Sequence, residues 1–74
     1  MKIIQISASD YKANELFKNL RQALNLTQGE LSNQLNISKS SIEKYEYGTN
    51  NYSFETLLNL AKKNNLEIII KSKK

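Results

Sequence analysis

Apolar residues recur along this chain with a helical period in several short stretches. In the first stretch they are spaced three and four residues apart: Leu16, Leu20, Ala23 and Leu24, with Ala13 and Phe17 beside them. This spacing places apolar side chains on one face of a helix. Ser9 or Asp10 is a candidate N-cap, and Asn25-Leu26 interrupts the pattern. The sequence therefore predicts a first helix from one of these caps to about Leu24.

A second helix is marked at its start by a T-x-x-E sequence. Thr27 and Glu30 have the spacing of a capping box, in which each side chain accepts a hydrogen bond from the other residue's backbone N–H. The helix is predicted from about Gln28 to Leu35. Asn36 follows, and asparagine tolerates the left-handed backbone conformation that a sharp turn requires.

Two further helices begin at serine residues, which are favoured N-caps. Ser38 is predicted to cap a third helix over residues 39–47, which Gly48 ends. Ser53 is predicted to cap a fourth helix, which Asn64-Asn65 ends. The apolar positions of this fourth helix are Phe54, Leu57, Leu58 and Ala61.

Both ends of the chain have a pattern that favours extended structure. Residues 2–7, KIIQIS, form a short β-prone run with partial alternation. Residues 66–71, LEIIIK, are too few and too β-branched for a helix and are predicted to form a strand. The prediction is one mainly α domain over 1–74, with an N-terminal arm (1–8), a core of four to five helices (9–65), and a C-terminal strand with a basic tail (66–74).

Composition excludes several classes of protein. The chain has no cysteine and no histidine, so neither a disulfide nor a Cys/His zinc site can form. A single aspartate and the lack of a glycine-rich phosphate loop argue against an enzyme, and no cofactor is expected. No apolar run approaches the ~20 residues that cross a membrane, so we expect a cytoplasmic protein. The net charge of +4 suits a polyanionic partner.

The second and third predicted helices are separated only by Asn36-Ile37, which is the layout of a helix-turn-helix over residues 27–48. The face of the third helix predicted to point outward carries Lys39, Ser40, Glu43 and Lys44. A helix of this kind fits the DNA major groove, where lysine and serine donate to base edges. A solvated helix face would have the same sequence. Glu43 could accept from cytosine or pair with Lys39 one turn away.

The stretch Leu20–Leu66 resembles the XRE family, the Cro/repressor type of helix-turn-helix domain. The resemblance is carried by LRQALNLTQGELSNQLNISKSSIEKYEYG and SFETLLNLAKKNNL, above all by the L-T-Q-x-E-L core and the I-x-x-Y-E-x-G ending. It implies a lambda-repressor-like DNA-binding fold. Ser32, Asn36 and Tyr52 stand where the family usually has alanine, glycine and proline, and the predicted strand stands where the family has a fifth helix.

The resemblance also implies roles for individual residues. Lys39, Ser40 and Lys44 match the base-reading positions, and Gln28 matches a glutamine that binds a DNA phosphate and braces the recognition helix. Arg21 and Glu46 match a partly buried ion pair, which makes them structural. The candidate phosphate contacts are Thr27, Gln28, Ser41, Thr49, Asn50 and Asn51. For the residues after the third helix, an ordinary loop role is the alternative.

The predicted end strand needs a partner, since a lone strand leaves backbone groups and isoleucines unsatisfied. Its apolar residues are Leu66, Ile68, Ile69 and Ile70. The partner is the same strand of a second copy, or the KIIQIS run of the same or the neighbouring chain. The alternative is a tail packed loosely on the core. A two-fold dimer would set two reading helices ~34 Å apart, matching a palindromic operator.

The layout of arm, helical core and L-E-hydrophobic strand resembles the HipB group of antitoxins. That resemblance implies a homodimeric repressor of its own operon that binds a HipA-like kinase toxin. Two alternatives stay open at this point. One is a stand-alone XRE-family repressor of phage or chromosomal origin. The other is a protein-interaction module that has lost DNA binding.

Overall fold

The computed structural model describes residues 6–72 and confirms the mainly helical prediction. A short 3-10 turn, Ala8–Asp10, precedes four helices: α1 (Ala13–Ala23), α2 (Gln28–Leu35), α3 (Lys39–Tyr47) and α4 (Phe54–Lys63). None of the helices in this part of the chain is long and apolar enough to cross a membrane. Most of the predicted KIIQIS arm, and the tail residues Lys73 and Lys74, lie outside the described residues.

The start of α1 differs from the prediction. Neither Ser9 nor Asp10 caps this helix, because both belong to the 3-10 turn, and α1 begins after Lys12. The backbone N–H of Lys12 donates to the Glu15 carboxylate at 3.0 Å. A carboxylate in the first turn, which the helix dipole favours, therefore supports the N-terminus in place of a hydroxyl cap.

The predicted starts of the other three helices are confirmed. Thr27 Oγ1 accepts from the backbone N–H of Glu30 at 3.0 Å, and the Glu30 carboxylate accepts from the backbone N–H of Thr27 at 2.8 Å. Ser38 caps α3, and Ser53 caps α4 in the same way. An N-cap of this type stabilises a helix by ~1 kcal/mol, so local sequence fixes where each of these helices begins.

Three of the helices end with the same motif. Asn25, Asn36 and Asn65 adopt positive φ angles of 58°, 55° and 57°. The apolar residue after each asparagine donates its backbone N–H to a carbonyl in the last turn of the helix, at 2.8–3.1 Å. These residues are Leu26, Ile37 and Leu66, and all three pack against the core. This is the Schellman ending, in which the left-handed residue reverses the chain and the next side chain returns to the protein.

Each helix contributes one fully buried side chain to the centre of the core: Phe17, Leu31, Ile42 and Leu60. The sequence pattern placed Phe17 beside the apolar face of α1, but the structure places it at the centre. The reason is tertiary, because the Phe17 ring packs against Tyr45 and Tyr52 with centroids 5.6 and 4.6 Å away. Aromatic contacts of this type add to the free energy gained by burial.

Tyr52, at the family's proline position, ties the loop before α4 to α1. Its hydroxyl donates to the carbonyl oxygen of Ala13 at 2.6 Å. Burial raises the pKa of Tyr52 above its ordinary value of 10.0. The neutral phenol is therefore the form that the fold favours.

We expect Tyr52→Phe to lower the free energy of unfolding by about 1 kcal/mol, because the ring contacts remain and one hydrogen bond is lost. The raised pKa adds a pH dependence. Its contribution to stability is complete below pH 10 and is lost as the pH rises through the folded-state pKa, a loss that Tyr52→Phe removes. Urea unfolding at neutral and alkaline pH measures both effects. Tyr47→Phe is the control, since Tyr47 is 86% exposed; equal effects of the two variants would contradict the prediction.

The predicted C-terminal strand is not formed within the described residues. Residues 66–72 follow α4 without regular secondary structure. Only Leu66 packs on the core, while Ile68, Ile69 and Ile70 are 41%, 64% and 91% exposed. A strand needs hydrogen bonds to a neighbouring strand, and the described part of this single chain offers none.

Candidate nucleic-acid interface

Helices α2 and α3 pack directly against each other around a short turn. Asn36, in the left-handed conformation, ends α2, and Ile37 donates its backbone N–H to Ser32 at 3.1 Å. Ser38 then starts α3 at once. Leu31 of α2 and Ile42 of α3 are fully buried in one core cluster, so packing fixes the angle between the two helices. This arrangement is a helix-turn-helix.

No hydrogen bond or ion pair joins the side chains on the outer face of α3 to the rest of residues 6–72. Lys39, Ser40, Glu43 and Lys44 are all exposed. The salt bridge found within residues 6–72 joins Arg21 and Glu46, so Lys39 and Glu43 are not paired with each other. Four polar side chains are thus presented to the solvent along two turns of one helix.

This face forms one side of an open groove whose other sides are α1 and the start of α2. The predicted contact residues that line it are Thr27, Gln28, Lys39, Ser40, Glu43, Lys44 and Thr49. Lys18, Gly29 and Tyr47 line it as well, together with the Arg21–Glu46 pair. We call this surface the α1–α3 groove. It brings together most of the residues that were predicted from the sequence to contact DNA bases and phosphates.

The base of the groove is held by a bidentate ion pair. Arg21 Nε and Nη2 donate to the two carboxylate oxygens of Glu46 at 2.6 and 3.0 Å. The side chains of Arg21 and Glu46 are 13% and 6% exposed. Arg21 Nη1 also donates to the carbonyl oxygen of Leu26 at 2.8 Å. The pair therefore connects α1, the α1–α2 loop and α3.

The ion pair favours the charged form of Arg21. The hydrogen bonds that Arg21 donates to the Glu46 carboxylate raise the pKa of Arg21 above its ordinary value, although burial opposes the change. Arg21 is therefore a cation at every pH at which the protein is studied. Because its charge is matched by Glu46, the groove's unpaired positive charge comes from lysines.

The first turn of α2 is oriented by the same carboxylate. Gln28 Nε2 donates to Glu46 Oε1 at 3.3 Å, so the amide at the start of α2 contacts the last turn of α3. A primary amide has a second N–H and an oxygen left for a ligand. The hydroxyl of Thr27 accepts the capping hydrogen bond from Glu30, and its own O–H can still donate to a ligand.

Three of the nominated phosphate contacts do not line the groove. Ser41 is half-buried, and its hydroxyl lies 2.9 Å from that of Ser38, within the cap of α3. Asn50 and Asn51 are exposed in the loop after α3. They lie beyond Thr49, which does line the groove. Asn50 and Asn51 are therefore either ordinary loop residues or phosphate contacts, and both alternatives stay open.

Three groove residues were not predicted from the sequence: Gly29, Lys18 and Tyr47. Lys18 lies one turn before Arg21 on α1, and Tyr47 is the last residue of α3. Lys18 and Arg21 are three residues apart and share one face of α1. Because Arg21 was expected to pair with Glu46 on the third helix, Lys18 could have been placed near that helix from the sequence. Tyr47 could not be placed in this way, because an aromatic residue at the end of a helix is usually expected to pack in the core.

Comparison with known proteins agrees with this fold. A profile of the helix-turn-helix family matches residues 17–69. No curated protein matches the sequence significantly. Among solved structures, one described as "MDT Protein" superposes with a TM-score of 0.65 and one described as "Structure of HipA-HipB-O2-O3 complex" with 0.64. Each is 23% identical, covering 96% of this chain and 100% of the other. The chain belongs to the XRE-type helix-turn-helix family.

Proposed function

We propose that this protein is a sequence-specific DNA-binding transcriptional repressor that acts in the cytoplasm. The proposal rests on the exposed outer face of α3. We call α3 the recognition helix. Its lysines and serine are exposed and have no ion partner within the described residues. A helix that presents such donors can lie along base edges in the major groove.

The contacts divide into two kinds by position. Lys39, Ser40, Glu43 and Lys44 are proposed to contact bases, because they occupy the outer face of the recognition helix. Thr27, Gln28, Ser41, Thr49, Asn50 and Asn51 are proposed to contact phosphates at its two ends. Phosphate contacts fix the register of the helix on the duplex, and base contacts select the sequence.

The protein is further proposed to act as a homodimer. Leu66 is anchored to the core, and beyond it Ile68, Ile69 and Ile70 form an apolar segment with no partner in the described chain. Pairing of this segment, with its twin or with the N-terminal run, would bury the isoleucines and satisfy the backbone. Two-fold symmetry would then match a palindromic operator.

The finer proposal is an antitoxin that represses its own operon and binds a HipA-like kinase. Its support is the likeness in layout to the HipB group and the fold likeness to a chain of the solved HipA–HipB complex. A stand-alone repressor is the competing proposal within the same class. Copurification with the product of a neighbouring kinase-like gene separates the two, since only the antitoxin predicts a stable complex.

Selection of bound sequences from a random DNA pool tests DNA binding directly. The expected result is one enriched palindromic sequence. Its affinity should fall steeply with salt, because each neutralised phosphate releases condensed counterions. A protein-interaction module would enrich no sequence, and that result would replace the repressor proposal with the module.

We expect Lys44→Ala and Gln28→Ala to weaken DNA binding in different ways. Lys44→Ala should cost ~1–3 kcal/mol at the selected sequence and relax base preference at one position. Gln28→Ala should weaken binding to all sequences alike, because a phosphate contact carries no sequence information. Fluorescence anisotropy on selected and single-base-changed duplexes measures both.

Lys62→Ala is the matched control for these variants, since it removes one charge from α4, away from the groove. It should leave base preference unchanged. If Lys44→Ala and Gln28→Ala both bound the selected duplex as well as the parent does, the assigned contacts would be wrong.

A further inference from the structure

The α1–α3 groove includes two side chains with no role in the proposed contacts: Lys18, on α1 outside the helix-turn-helix, and Tyr47, at the end of α3. We propose that Lys18 and Tyr47 form a second binding site for the DNA sugar–phosphate backbone, on the α1 side of the recognition helix. This inference rests on the proposed DNA-binding function and extends its footprint.

The position of Lys18 follows from the ion pair. Arg21 is bound to Glu46 in the last turn of α3, and Lys18 lies one turn away on the same face of α1. The pair therefore holds this face of α1 against the end of the recognition helix. Lys18 and the outer face of α3 therefore line the same groove, so one DNA strand can reach both.

Lys18 is available to an external anion. Within residues 6–72 its ammonium has no ion partner. The buried carboxylate of the groove, Glu46, is already occupied by Arg21 and Gln28. An exposed ammonium on a flexible stem is a suitable donor to a phosphate oxygen, and it does not discriminate between bases.

Tyr47 supplies the second half of the site. The rings of Tyr45 and Tyr52 pack on Phe17, but Tyr47 is 86% exposed at the edge of the groove. Its hydroxyl has no hydrogen-bond partner in the described chain and can donate to a phosphate, while its ring can pack against a deoxyribose. Both interactions are independent of sequence.

The charge of the groove favours this ligand. Arg21 and Glu46 neutralise each other, which leaves Lys18, Lys39 and Lys44 against the single carboxylate of Glu43. The groove therefore has a net positive charge, with lysines on both α1 and α3. A phosphate backbone is a polyanion that such a surface attracts.

The test compares Lys18→Ala with Lys62→Ala, and Tyr47→Phe with Tyr11→Phe, in the full chain. Dissociation constants are measured for a selected duplex and for an unrelated duplex, at about 50 and about 200 mM salt. We expect Lys18→Ala to weaken binding to both duplexes by the same factor. The parent should bind more tightly than Lys18→Ala at both salt concentrations. This advantage should be about threefold smaller at the higher salt, which is the salt dependence expected for one phosphate contact. Tyr47→Phe should weaken both duplexes by a smaller common factor.

The outcomes separate this site from the proposed function. If the parent binds DNA but Lys18→Ala and Tyr47→Phe match their controls at both salt concentrations, the second backbone site is overturned and the repressor stands. A change of base preference in Lys18→Ala would also overturn it, since a backbone contact leaves preference intact. If the parent binds no duplex, the proposed function itself fails. Lys18→Gln, which keeps most of the side-chain stem, replaces Lys18→Ala if the alanine variant folds poorly.

Discussion

We expect the replacement of Arg21 by alanine to remove a large part of the free energy of unfolding. The change leaves the Glu46 carboxylate, only 6% exposed, without its cationic partner. Breaking a buried ion pair from one side costs ~3–5 kcal/mol. The whole stability of a domain of this size is only about 5–10 kcal/mol. Thermal melting followed by circular dichroism should therefore show a much lower Tm for Arg21→Ala.

Two further variants establish the cause of that loss. Lys18→Ala removes a cation from the same face of α1 but leaves Glu46 paired, so its Tm should stay near that of the parent. Replacing both Arg21 and Glu46 by leucine removes the buried charges together and should recover much of the stability, because apolar packing substitutes well for a buried pair. An unchanged Tm in Arg21→Ala would show that the ion pair has no structural role.

The double variant Ile68→Lys with Ile70→Lys should convert the proposed dimer into a monomer that binds the proposed operator far more weakly. Ile68 and Ile70 are alternate residues, which share one face of an extended strand. Ile70 is 91% exposed in the single chain, so changing it disturbs nothing within the protomer. Loss of the second half-site contact should lower operator affinity ~10²–10⁴-fold, the gain that linked binding provides.

Sedimentation equilibrium measures the oligomeric state, and anisotropy measures operator affinity. Phe54→Lys is the matched control, because Phe54 is also an exposed apolar residue, 58% exposed, but lies on α4 away from the end segment. It should leave the dimer and its affinity unchanged. A monomeric parent, or a double variant that remains dimeric, would refute dimerisation through this segment.

The helical core could be predicted from the sequence because its boundaries depend on local interactions. Thr27, Ser38 and Ser53 satisfy backbone donors within three residues of themselves. Asn36 and Gly48 adopt left-handed conformations, which asparagine tolerates and which glycine adopts freely because it has no Cβ. Each of these features depends only on a short segment of chain, so the neighbouring residues are enough to predict where a helix begins or ends.

The features that were missed depend on residues far apart in the sequence. Phe17 is central because rings from two other elements pack on it. Lys18 reaches the groove because Arg21 binds Glu46, twenty-five residues away. The strand over residues 66–71 was predicted from its composition, but hydrogen-bonded pairing also requires a neighbour, which composition does not supply.

In the recognition helix, the residues that stabilise the fold are different from the residues proposed to contact DNA bases. Ile42 and Glu46 fasten α3 to the core, whereas Lys39, Ser40, Glu43 and Lys44 make no bond that the fold requires. Substitutions at such solvent-facing positions change stability by only about 0.5 kcal/mol. A lineage carrying this scaffold could therefore acquire a new operator through exchange of a few side chains, and duplicated copies could diverge in target without passing through an unfolded intermediate.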